Sequence, residues 1–134
     1  MNLAYLWVAL GGALGSVSRF WLAGLIANRW STLSFPIGIL VINVTGSFII
    51  GLCSAFADPN GRMASTPSFR QFFMVGVCGG YTTFSSFSLD TLKLVKAGDF
   101  LYAGGNVLLS VTLCLIAVTF GYWLGMVLNS IKGN

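Results

Sequence analysis

The residues best placed to do chemistry lie in "VCGGYTTFSSFSLD", residues 77–90, inside the third long apolar stretch of the chain. Thr82, Thr83, Ser85, Ser86 and Ser88 are neutral hydroxyl donors there, interleaved with Phe84 and Phe87. Asn43, near the middle of the second apolar stretch, and Asn106 with Ser110, one helical turn apart in the fourth, complete the set. Polar groups inside a membrane are costly and mark functional paths, although a single Asn also serves as glue between helices. This many in three helices favour a polar pathway. The edge of an aromatic ring carries partial positive charge. Phe84 and Phe87, three residues apart, share a helix face. They are either packing residues or a pair of ring edges that, with the hydroxyls, would pass a small anion without trapping it as a buried lysine would.

The pair Gly79–Gly80 is a poor helix centre, since each glycine costs about 1 kcal/mol relative to alanine. Two readings follow. Either Gly79–Thr82 is non-helical at the membrane midplane and offers carbonyl oxygens to a cation, or the helix is continuous and the glycines pack closely. Arg19 is the one charge placed inside a span. It lies about 24 Å along a helix from Leu3, near the far interface, where it either snorkels or lines a vestibule that attracts anions. Asp90 fits a helix-end role as well as a pore role.

The elements that must position these residues are membrane spans. The chain is 56% hydrophobic and 7% charged, too few charges to cover a soluble surface. Four segments approach the roughly 20 residues a crossing needs. They are Leu3 to Ile26, Pro36 to Ala57, Gln71 to about Leu92, and Phe100 to about Leu128. The sequence therefore predicts a single all-α membrane domain over residues 1–134, with four transmembrane helices and the third broken mid-membrane. "NRWSTLSF", "DPNGRMASTPS" and "KAGD" supply the turns. No basic leader precedes the first span, so no removable signal peptide is expected.

The basic residues balance across the membrane. Arg62, Arg70 and Lys132 fall on one side, and Arg29, Lys93 and Lys96 on the other. Orientation normally follows an excess of Lys and Arg in cytoplasmic loops, and here there is none. Copies are expected to insert both ways and pair as an antiparallel dimer. Gly11-x-x-x-Gly15 and Gly121-x-x-x-Gly125 allow close helix packing, within one subunit or between two.

Several function classes drop out. The seven basic residues are too scattered for a nucleic-acid footprint. There is no His and no Glu, which removes His-based metal sites and His bases. Cys53, Cys78 and Cys114 lie at no metal-ligand spacing and read as packing residues. No nucleophile stands near a base, so an enzyme is not expected. A proton-coupled exporter of the small multidrug resistance type needs an acidic residue in the first span, and Leu3 to Ile26 has none. A non-transporting membrane subunit, with its polar residues as glue, stays open.

Three stretches carry a resemblance over essentially the whole chain. "GSVSR" (15–19), "PIGILVIN" (36–43) and above all "GVCGGYTTFSSFS" (76–88) resemble the signatures of the Fluc (CrcB) fluoride ion channels. The resemblance implies passive, fluoride-selective export through an antiparallel, dual-topology homodimer in a bacterial inner membrane. It implies that Asn43, Phe84 and Phe87 line the fluoride pathway, and that Ser85, Ser86, Asn106 and Ser110 continue it. Arg19 would sit in the vestibule, and the carbonyls of Gly79 and Thr82 from both subunits would hold a structural Na+. Two departures are visible: Ile39 where many relatives have threonine, and Asp90 where many have glutamate.

Overall fold

The computed structural model describes residues 3–30, 34–59, 61 and 66–131. Two cations of the charge balance, Arg62 and Lys132, lie outside the described residues, as do parts of the first two loops. Among the described residues every regular element is helical. Helix α1 spans Leu3–Arg29 and α2 spans Ile37–Phe56. A third rod follows in three pieces: α3 (Pro67–Phe69), a π-helical stretch (Arg70–Cys78) and α4 (Gly79–Tyr81). After Thr82 and Thr83 the chain resumes as α5 (Phe84–Lys96), and α6 (Phe100–Ser130) closes the bundle.

Three of these helices, α1, α2 and α6, are long and apolar enough to cross a membrane unbroken. The third rod and α5 together make the interrupted passage between α2 and α6. Large apolar side chains cover the outside, Leu101 (88% exposed) and Phe20 (83% exposed) among them, as expected where the solvent is lipid. At 31 residues, α6 is about 46 Å long and outreaches a hydrocarbon core of about 30 Å.

Small residues fix the packing. Helix α1 lies along the π-helical stretch, and α2 along α6. A Cβ on Gly11 would sit 2.1 Å from the Phe72 carbonyl oxygen, and one on Gly121 would sit 2.2 Å from that of Phe48. Both GxxxG pairs therefore seat helices within one subunit. The turn from α5 to α6 is equally local. Gly98 takes φ +82, and Asp99 N–H donates back to the Leu94 carbonyl at 2.9 Å, a Schellman closure that needs glycine at this position.

The structure places the break at the C-terminal end of the expected Gly79–Thr82 and one residue beyond it. Gly79 and Gly80 are helical, and the non-helical residues are Thr82 (φ −82, ψ 158) and Thr83 (φ −153, ψ 117). The glycine cost argued for a break at the glycines, but Gly80 is required by packing: its Cβ would meet the Gly12 carbonyl oxygen at 2.6 Å. The two β-branched threonines that follow adopt extended backbone readily. The passage also runs longer than expected at both ends, from Pro67 to Lys96. Helix α1 likewise continues to Arg29, ten residues or about 15 Å beyond Arg19. Gly15 packs against Val77 and Tyr81, so Arg19, one turn on, lies at the depth of the break rather than near a helix end.

Candidate functional site: a donor-lined groove at the helix break

Thr83 is the pivot of the site. It is buried, and its extended backbone is gripped by Asn43 of α2. Thr83 N–H donates to Asn43 Oδ1 at 2.8 Å, and Asn43 Nδ2 donates to the Thr83 carbonyl at 3.0 Å. The Thr83 hydroxyl caps α5 by accepting from Ser86 N–H at 3.2 Å. It also lies 3.2 Å from both Ser85 Oγ and Ser86 Oγ. A cluster of hydroxyls thus surrounds the N-terminus of α5, where the helix dipole favours negative charge.

Phe84 and Phe87 open α5. Their ring centroids are 5.3 Å apart with the planes inclined at 49°. The two differ sharply in surroundings: Phe87 is 8% exposed, whereas Phe84 is 77% exposed on the flank of the subunit.

A groove of about 380 Å³ runs past this cluster. It gathers Asn43, Gly79, Thr82, Thr83, Phe84, Phe87 and Ser110 on walls contributed by α2, the broken passage and α6. No charged side chain lines it. Its polar character comes from neutral donors beside the rings of Phe84 and Phe87, and the exposed Phe84 and Gly79 leave it open along one side of the subunit.

The other expected residues stand around the groove rather than in it. Asn106 is 2% exposed, with its carboxamide engaged: Nδ2 donates to Thr91 Oγ1 at 2.9 Å, and Oδ1 receives Ser110 Oγ at 3.4 Å. Thr91 in turn donates to the Phe87 carbonyl at 2.8 Å. A relay therefore ties the groove wall at Ser110 to the helix that carries both rings. Ser85 and Ser86 belong to the Thr83 cluster and are not groove-lining. Arg19 is on α1, which contributes no residue to the groove, and among the described residues it has no ion-pair partner. Asp90 is paired with Lys93 at 3.1 Å, three residues on along α5.

Two residues of this site were given no role by the sequence: Thr91 and Gly46. Thr91 follows Phe87 by four positions, which places it on the same helix face, and that spacing was a readable signal. Gly46, one turn from Asn43, seats Thr82 and Tyr81 against α2. Nothing in its local sequence distinguishes it from a packing glycine.

Two carbonyls bear on a possible cation. Thr82 N–H and Thr82 Oγ1 both donate to the Cys78 carbonyl, at 3.0 and 2.9 Å. The next helical bond, from Thr83 N–H to Gly79 O, is replaced by the bond to Asn43. The Gly79 carbonyl consequently has no hydrogen-bond donor among the described residues, and a Cβ at Gly79 would meet nothing within 4 Å.

Residues 6–122 match the model of a family described as "CrcB-like protein, Camphor Resistance (CrcB)". The chain is 55% identical over 130 residues to a protein of Opitutus terrae, covering 97% of this chain and 98% of that one. It is 57% identical over 125 residues to one from Rhodospirillum rubrum, covering 93% of each. A protein of Methylocella silvestris is 46% identical over 129 residues, covering 96% of this chain and 98% of its own. Each of these relatives bears the name "Fluoride-specific ion channel FluC". A multi-pass bundle with a donor-lined break, matched this fully along its length, belongs to the CrcB family of membrane proteins.

Proposed function

We propose that this chain is a fluoride-selective ion channel, not an enzyme, through which fluoride leaves the cytoplasm passively across a bacterial inner membrane. The observation that carries the reading is the groove. Neutral donors and two aromatic rings, from three helical passages, converge on one helix break, with no fixed charge among them. Fluoride is small and strongly hydrated. Along this path its water would be exchanged for the ring edges of Phe84 and Phe87 and the second Nδ2 hydrogen of Asn43, joined by the Thr83 and Ser110 hydroxyls once they turn from Ser86 Oγ and Asn106 Oδ1, to which they donate here. Ser85, Ser86 and Asn106 would hold those donors in register, and Arg19 would raise the local anion concentration in an aqueous vestibule. A larger, more weakly hydrated anion such as chloride gains less from the exchange. The negative-inside membrane potential sets the direction.

Two copies in antiparallel orientation would complete the path. The groove is open on one flank, and Phe84, the more exposed ring, stands on that flank. The same arrangement suits a structural sodium ion. Carbonyl oxygens of unwound membrane helices coordinate Na+, and the released Gly79 carbonyl together with that of Thr82 offers two such ligands per chain. Two are too few for an alkali cation, and a second copy would supply the other pair.

The test is anion efflux from liposomes that contain the purified protein, with fluoride compared against chloride. Rapid fluoride loss with chloride retained is expected, and it should persist when a pH gradient alone is collapsed. Retention of fluoride by correctly folded and inserted protein would overturn the channel reading. It would favour a non-transporting subunit, for which the helix-to-helix engagement of the Asn43 and Asn106 amides is the supporting observation.

A further inference from the structure

Thr83 adopts φ −153 and ψ 117. In that extended form a residue's own N–H and C=O point to the same side, the arrangement by which a strand residue pairs with its neighbour in an antiparallel ladder. No strand lies opposite Thr83. The Asn43 carboxamide takes that place, with Oδ1 on the N–H at 2.8 Å and Nδ2 on the C=O at 3.0 Å. Were Thr83 helical, its N–H would close on the Gly79 carbonyl four residues back. Gly79 O is therefore free because of a side chain forty residues away in sequence.

We propose that Asn43 is a positioning residue for a cation: by holding Thr83 N–H, it keeps the Gly79 carbonyl available to a hard monovalent ion. The inference rests on the sodium reading above and deepens it. Asn43 also lines the anion groove, and Nδ2 carries a second hydrogen beyond the one given to Thr83. One amide plane thus joins the two ions. It donates toward the anion path and, through Thr83, keeps the cation ligand unmasked. The chemistry restricts the residue type. Aspartate retains an acceptor for Thr83 N–H but has no donor for its carbonyl. Alanine holds neither group, and the N–H becomes free to close the helical bond onto Gly79 O.

The experiment is thermal unfolding of the full-length protein in detergent, titrated with sodium chloride against N-methylglucamine chloride. Wild type, Asn43→Ala and Asn43→Asp are compared. Wild type should gain stability from sodium specifically. Asn43→Ala should need about tenfold more sodium for half its shift, because a competing net hydrogen bond must first be released from the carbonyl. Asn43→Asp, which keeps the acceptor, should need no more sodium than wild type even if it conducts no fluoride. A merely structural Asn43 would lower the midpoint equally in both salts and leave the sodium dependence unchanged, and that result overturns the proposal. If Asn43→Ala does not fold, Asn43→Asp decides: a tenfold weaker sodium response there overturns the proposal as well. A wild type indifferent to sodium would instead remove the sodium reading on which the inference stands.

Discussion

Replacing Gly46 by alanine places a methyl group where the break is seated. The new Cβ would lie 2.3 Å from Thr82 Cγ2, 3.0 Å from Tyr81 Cδ1 and 3.4 Å from Tyr81 Cε1. Carbon atoms in ordinary contact stand about 3.5–4.0 Å apart, so Thr82 must recede by more than about 1 Å. It has two ways to do so. Rotation about χ1 gives up the Thr82 Oγ1 bond to the Cys78 carbonyl, worth about 0.5–1.5 kcal/mol. Moving α2 away from the passage instead stretches the Asn43–Thr83 pair, which sits one turn from Gly46. Overpacking of this kind costs about 1–3 kcal/mol, and we expect a loss near 2 kcal/mol together with reduced fluoride efflux.

The same geometry names a rescue. Thr82→Ser deletes Cγ2 and keeps Oγ1, removing the closest clash while preserving the bond to Cys78. Tyr81 must still yield by a few tenths of an ångström, so recovery should be incomplete. The assay is equilibrium denaturation of all four members of the double-mutant cycle, with liposome efflux run in parallel. A favourable coupling of about 1 kcal/mol or more is expected. Effects that add to within about 0.5 kcal/mol would refute the contact as the cause.

Other substitutions probe the remaining contacts. Phe87→Ala should cost about 3–5 kcal/mol as well as flux, because the ring is buried in the subunit. Phe84→Ala should impair flux with a clearly smaller loss of stability, so equal losses in denaturation would contradict their different settings. Gly121→Ala pushes a methyl group to 2.2 Å from the Phe48 carbonyl and should cost about 1–3 kcal/mol, seen as a lowered unfolding midpoint. Gly24→Ala, with open space around its Cβ, should instead stabilise by up to about 1 kcal/mol in the same measurement. Thr91→Val leaves the buried Asn106 amide without its acceptor and should cost about 1–3 kcal/mol, whereas Thr91→Ser should restore it. A neutral Thr91→Val would show that the relay does not couple α5 to α6.

The four apolar passages were readable because length and hydrophobicity are local properties of the chain. So was the peculiarity of the third, since hydroxyls and glycines among apolar residues are visible in the letters. The site of the break was only partly so. Glycine's helix cost pointed to Gly79–Thr82, but Gly80 answers to Gly12 and Thr83 to Asn43, and both partners are remote in sequence. Asn43 itself was legible as a polar residue in a membrane. Its grip on Thr83 was not, because that backbone offers two groups to one side only once the helix has opened. The GxxxG pairs were equally readable as close-packing motifs. Which surfaces they meet depends on the register of α1 with the π-helical stretch and of α2 with α6, and no local pattern encodes it.

On the reading proposed above, the break would also explain why a second copy and an ion meet at the same place. In a bilayer, a backbone group that loses its helical partner must find another in protein, water or an ion. Thr83 N–H and C=O are met by Asn43, Ser86 N–H by the Thr83 hydroxyl, and Thr82 N–H by the Cys78 carbonyl. Gly79 O has no such partner among the described residues, and it sits on an exposed glycine at the open flank of the groove. Interrupting the passage is what brings Thr82, Thr83 and the rings of Phe84 and Phe87 to the groove, so an uncovered carbonyl comes with them. Lipid cannot cover it. A cation shared with a second, inverted subunit would satisfy it and, in the same contact, close the groove over Phe84.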